Sequence, residues 1–145
     1  VAFADNPIAE ATTNAELQEF SLGAQIATTS LDYIENVIQP TTEASVFDTN
    51  SDAKAALDAQ QIDGIVFDLP TALFITAVEM PDTAIVGQFG EAGDNPEGLG
   101  MLFADGNTLV DCVNVALAAL AEDGTLTALE EEYLVVGSDI PVITP

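Results

Sequence analysis

Very little in this chain can do covalent chemistry. Its 145 residues include no His and no Arg, and Lys54 is the single basic side chain. Without His, a Ser-His-Asp triad, a Cys-His pair and the usual zinc sites cannot be assembled. Phosphate clamping is poorly served by one Lys, and no Gly-rich phosphate loop is present. Lys54, in Ser51-Asp52-Ala53-Lys54, reads as part of a solvated helix face. Acidic residues number 25, so carboxylate pairs spaced for acid–base work are expected by chance and carry little information. Asp48-Thr49-Asn50-Ser51-Asp52 imitates the first half of a calcium loop. Ala53 stands where that loop needs glycine and Ala59 where it needs the closing glutamate, so a strand end plus a helix cap is the simpler reading. Glu130-Glu131-Glu132 reads as a solvated helix end. Cys112 lies on an apolar helical face and reads as a small buried hydrophobe; one cysteine allows no internal disulfide. Neither a cofactor nor a metal is expected.

Composition narrows the partners. A hydrophobic share of 48% with 10 Gly and 7 Pro is globular, and the length suits one domain with a real core. The net charge of -24 repels nucleic-acid phosphates and anionic membrane surfaces. No apolar run reaches the roughly 18 residues of a membrane span, so no insertion is expected. The acidity fits a salty habitat or a deliberately de-cationised sequence. Starting at Val1 without Met or a signal peptide, the chain reads as a processed or excised piece of something longer.

The elements that would position any site alternate in type. Residues 1–4 form a short strand ending at the turn Asp5-Asn6-Pro7, and 14–18 a brief helical turn. A strand at 22–26 leads into a helix opened by Thr28-Thr29-Ser30, with Leu31, Ile34, Val37 and Ile38 as its apolar stripe and Pro40 as its stop. A strand at 44–47 precedes a helix capped by Asn50 or Ser51 and running to about residue 60. The apolar run 62–67 is a buried strand, and Pro70 starts a helix to about residue 79. Strands follow at 83–89 and 98–103, then helices at 109–121 and 125–133 broken at Asp123-Gly124, then an extended tail. Such alternation predicts an α/β fold with a doubly wound, mostly parallel sheet. Ligands of such sheets sit at strand carboxyl ends and helix N-termini, which directs attention to Ala27-Thr28-Thr29-Ser30 and Phe67-Asp68.

In order, these segments resemble the second half of extracellular solute-binding proteins of family 3, which feed polar amino acids to ABC transporters. "AELQEFSLGAQIATTSLDYIENVI" resembles the family's leucine-anchored turn, strand and Gly-Thr-Thr helix start. "AALDAQQIDGIVFDLPTA" resembles its helix, buried strand and ligand-facing Asp, and "EGLGMLFADGNTLVDCVNVALAALAEDGTLTALEEEYL" its return crossover and two terminal helices. "VAFADNPI" is similar to the first crossover strand.

The resemblance implies a periplasmic-binding-protein-like lobe of type II. It divides the chain into a first crossover strand (1–4), lobe two (5–97), a return crossover with terminal helices (98–134) and the tail (135–145). By position, Thr28 and Thr29 inherit the contact to an amino acid's carboxylate, and Asp68 the contact to its α-ammonium. Without the resemblance, capping of their helices explains these residues equally well. Ala27 replaces the family's glycine, which strains the turn if φ there is positive. Asp63 is expected to bond local backbone. Ala2, Phe3, Leu99, Gly100 and Met101 fall in the hinge. A transporter permease is the implied partner, and the location is extracellular or periplasmic, with a lipid anchor ahead of Val1 as one option.

The family's first lobe, with its carboxylate-gripping Arg and covering aromatics, has no counterpart here. Losing two charged hydrogen bonds of roughly 1.5–3 kcal/mol each costs at least about a hundredfold in affinity. Terminal helices without that lobe would expose Val113, Val115, Ala116, Leu117 and Leu120, inviting the missing lobe or self-association. Three functions follow: a binding lobe, a self-assembling structural subunit in an oligomer or filament with ligand binding lost, and, least supported, an enzyme of the dehydratase type sharing this fold. The charge gives the first prediction. Screening length falls to roughly 3 Å in 1 M salt, so raising NaCl from low millimolar to 1 M should lift the thermal midpoint by about 5–10 °C. A midpoint that is flat across this range in circular-dichroism melts would show that self-repulsion is negligible.

Overall fold

Three parallel strands carry the sheet that positions everything else. The computed structural model describes residues 1–89, 100–134 and 140–145. Within it, β2 (Leu22–Gln25) lies between β3 (Ser45–Phe47) and β4 (Gly64–Ile65), parallel to both. Gly23 sits opposite both Ser45 and Ile65 in the register. A side chain there would meet the Phe47 ring, since an ideal Cβ falls 2.7 Å from its Cε2. β1 (Ala2–Phe3) pairs antiparallel with β5 (Thr83–Ala84). The Val1 amine donates to the Ile65 carbonyl at 2.7 Å and Ile65 N–H returns a bond to the Val1 carbonyl at 2.9 Å. These bonds join the two sheets edge to edge, in the order β3-β2-β4-β1-β5.

Helices cover both faces. Leu22 and Ala24 point to one side, where α2 (Thr29–Tyr33, continued by a π-helical turn Ile34–Ile38) supplies the fully buried Ile34 and Ile38. Ile65 points to the other side, against Ala53 and Leu57 of α3 (Asn50–Asp58). Val37, expected in the core stripe, is 40% exposed, because the widened turn aligns Ile34 with Ile38 and rotates Val37 outward. Gln39 ends this helix in the left-handed region, one residue before Pro40. The cap of α3 is Thr49 rather than Asn50 or Ser51: its hydroxyl oxygen accepts from the Asp52 N–H. α4 (Leu69–Phe74, with a π turn Ile75–Glu79) is capped by Asp68. A short α1 (Asn14–Leu17) begins at the Thr13–Glu16 capping box.

Lys54 is not on a solvated face. Its ammonium meets Glu79 at 2.7 Å, tying α3 to the end of α4, and its side chain is only 19% exposed. Asp63 also departs from expectation. Rather than local backbone it binds Ser21, 42 residues away, accepting from the Ser21 N–H (2.9 Å) and hydroxyl (2.7 Å), with Asn6 at 3.3 Å. Partial burial disfavours its charged form, yet these donors outweigh burial and hold the carboxyl below its usual range. The bond fixes the start of β2 to the turn that launches β4.

The expected strand 83–89 splits in two because the chain changes partner. After β5, β6 (Gln88–Phe89) pairs in parallel with β7 (Val142–Ile143) from the tail. Gly87 permits this: an ideal Cβ would lie 2.6 Å from Ile143 Cδ1. On its other side the tail bonds the α1 entry, through Thr144 N–H to the Thr12 carbonyl (3.0 Å) and Asn14 N–H to the Thr144 carbonyl (2.9 Å). Ile143 thereby enters the core beside Ile8, Leu17 and Ile34.

Two compact units are distinguished, Val1–Gly90 with Asp139–Pro145, and Glu91–Ser138. The second contains α5 (Leu109–Glu122) and α6 (Thr125–Tyr133), bent by 79° at Gly124. Neither helix is long and apolar enough to cross a membrane. The strand expected at 98–103 is absent from residues 100–103, where Met101 and Leu102 are exposed; residues 98–99, with Leu99 of the expected hinge, and 135–139 lie outside the described residues. Cys112 is exposed, not buried, because α5 buries none of its residues.

The tail contact predicts a specific cost. Ile143→Ala should destabilise the protein by about 2–4 kcal/mol in urea titration, the range for a buried aliphatic truncation. A loss under about 0.5 kcal/mol would show that the tail is not part of the core.

Candidate ligand-binding cleft

A parallel strand must hand the chain to a helix at its carboxyl end, and here three such handovers meet. β2 ends at Gln25 and α2 begins after Thr28; β3 leads to Asn50, the first residue of α3; β4 runs through Val66 and Phe67 to Asp68, the cap of α4. Together with Thr29 and Ser30 these residues line an open cleft of about 290 Å³. β2 has β3 on one side and β4 on the other, so the cleft lies where the sheet order reverses, the place where open α/β sheets receive ligands.

The donors are arranged by the opening of α2. Thr28 Oγ1 accepts from Leu31 N–H at 3.2 Å and donates its proton to the Gln25 carbonyl at 2.7 Å. The Thr28 hydroxyl is thus committed to shaping the turn. Thr29 and Ser30, as first residues of the helix, present N–H groups with no intrahelical acceptor. Among the described residues no hydrogen bond uses either of their hydroxyls. This makes a compact donor group at a positive helix end.

Asp68 supplies the acceptor. One carboxylate oxygen takes the Thr71 N–H at 2.9 Å and the other the Thr71 hydroxyl at 2.8 Å. A carboxylate accepts about four hydrogen bonds, so half of its capacity remains. Capping and ligand contact are compatible roles here. Gln25 is oriented by a bond from its amide to the Asp48 carbonyl at 3.1 Å.

Of the residues singled out in the sequence, Thr28, Thr29 and Asp68 come together in the cleft. Ala2 and Phe3 are in β1, and Gly100 and Met101 belong to the second unit. Ser30 and Phe67, in the two segments to which the strand and helix ends directed attention, line it as well; Gln25, Asn50 and Val66 were not singled out, although each lies at a strand end or in the first turn of a helix. The calcium-like stretch forms no ion site: Thr49 and Asp52 bind each other at 2.6 Å as a cap, and no group of three ligating side chains occurs among the described residues.

The fold is similar to that of a solved protein. A crystal structure of a mutant of ArgBP from T. maritima matches with a TM-score of 0.60 and 21% identity, over 91% of this chain and 55% of that one. The chain therefore spans little more than half the length of the protein it resembles. At this identity the likeness shows the fold, an α/β lobe of the periplasmic-binding-protein type with a parallel sheet between helices. No protein-family model matches the sequence, and no curated protein matches it.

Ala27 stands in the left-handed region at φ 58, the strained case the sequence raised. That conformation costs a non-glycine residue roughly 1–2 kcal/mol, partly offset by the greater unfolded-state entropy of glycine. Ala27→Gly should therefore stabilise the protein by about 0.5–1 kcal/mol in urea titration. A destabilised variant would mean that the methyl group makes a contact worth more than the strain.

Proposed function

We propose that this chain is a ligand-binding lobe of an extracellular or periplasmic solute-binding protein. It acts without catalysis, takes a polar amino acid or a similar small solute, and delivers it to an ABC transporter permease. The observation that carries the reading is the pairing in one cleft of the free N–H groups of Thr29 and Ser30 with the half-occupied carboxylate of Asp68. Those groups complement the carboxylate and the ammonium of an amino acid. The resemblance of the sequence to family 3, and the likeness of the fold to a protein named for binding arginine, support the same class of ligand.

In this reading a second lobe completes the site, and closure turns about hinge segments containing Ala2, Phe3, Leu99, Gly100 and Met101. On α5, Leu109, Val115 and Leu120 are all exposed and suit a covering partner such as a second lobe. The same exposure favours the rival reading, a self-assembling subunit in which the cleft is idle.

Calorimetry with a panel of amino acids, on the protein at its full natural length, decides between them. At least one should bind, and Asp68→Asn, which keeps a cap oxygen but removes the charge, should weaken it by about 10- to 100-fold, the value of one charged hydrogen bond. Absence of heat with every member of the panel, or unchanged affinity in the variant, would count against the proposal.

A further inference from the structure

We draw no further inference here: the strongest candidate, the apolar surface patch on the outer face of α4 where Phe74 and Val78 are exposed, is an unpartnered helix face, and nothing in the structure shows what covers it.

Discussion

Parallel strands cannot be joined by a tight turn; the chain must cross the sheet on a helix before it can run in the same direction again. In this protein that requirement acts three times, after β2, after β3 and after β4. Each crossover begins at the carboxyl end of a strand, so the openings of α2, α3 and α4 are gathered on one edge. The cleft is a consequence of that geometry rather than a separate invention. Its polar groups are the backbone N–H groups that any helix leaves unpaired, together with the side chains that cap them. Gly23, whose Cβ would collide with the Phe47 ring, leaves that ring its place on the face of the sheet.

Much of this was legible because the signals are local. Thr28 before an apolar stripe, and Asp68 before Leu69-Pro70, announce helix starts from sequence alone, and the buried strand run between them fixes the topology. The same locality explains the misses. Val37 satisfies the periodicity of an α-helix, but the turn is π-helical, and a helix of that kind places its neighbours differently. Cys112 lies in an apolar stretch, yet nothing in the described part of its unit covers α5. Asp63 and Lys54 find partners 42 and 25 residues away, which no short window can show. The pairing of β6 with β7 depends on a tail separated from it by the whole of the second unit.

The acidic surface and the cleft obey different electrostatics. Most of the 25 acidic residues are exposed, and their mutual repulsion is long-ranged and screened by salt. Within the fold, single carboxylates do local work: Glu16 and Asp68 hold helix starts, Asp63 links two strands, and Glu79 receives the only ammonium side chain. Thr12 and Thr13 bond Glu16 from backbone and side chain and hold its pKa low, although it is fully exposed. Apart from the Lys54–Glu79 pair, carboxylates in a chain so poor in cations are stabilised by hydrogen bonds, as at Glu16, Asp63 and Asp68, or by ions from solution.

On the proposed reading, a small solute is held at the edge shared by α2, α3 and α4. Backbone-amide NMR of the ¹⁵N-labelled protein at its full natural length, titrated with the amino acid that binds, tests this residue by residue. The amides of Thr29, Ser30 and Asp68 should shift together and saturate on one curve, with Asn50 following. Shifts confined to α5 and α6, with the cleft amides unmoved at saturation, would contradict it.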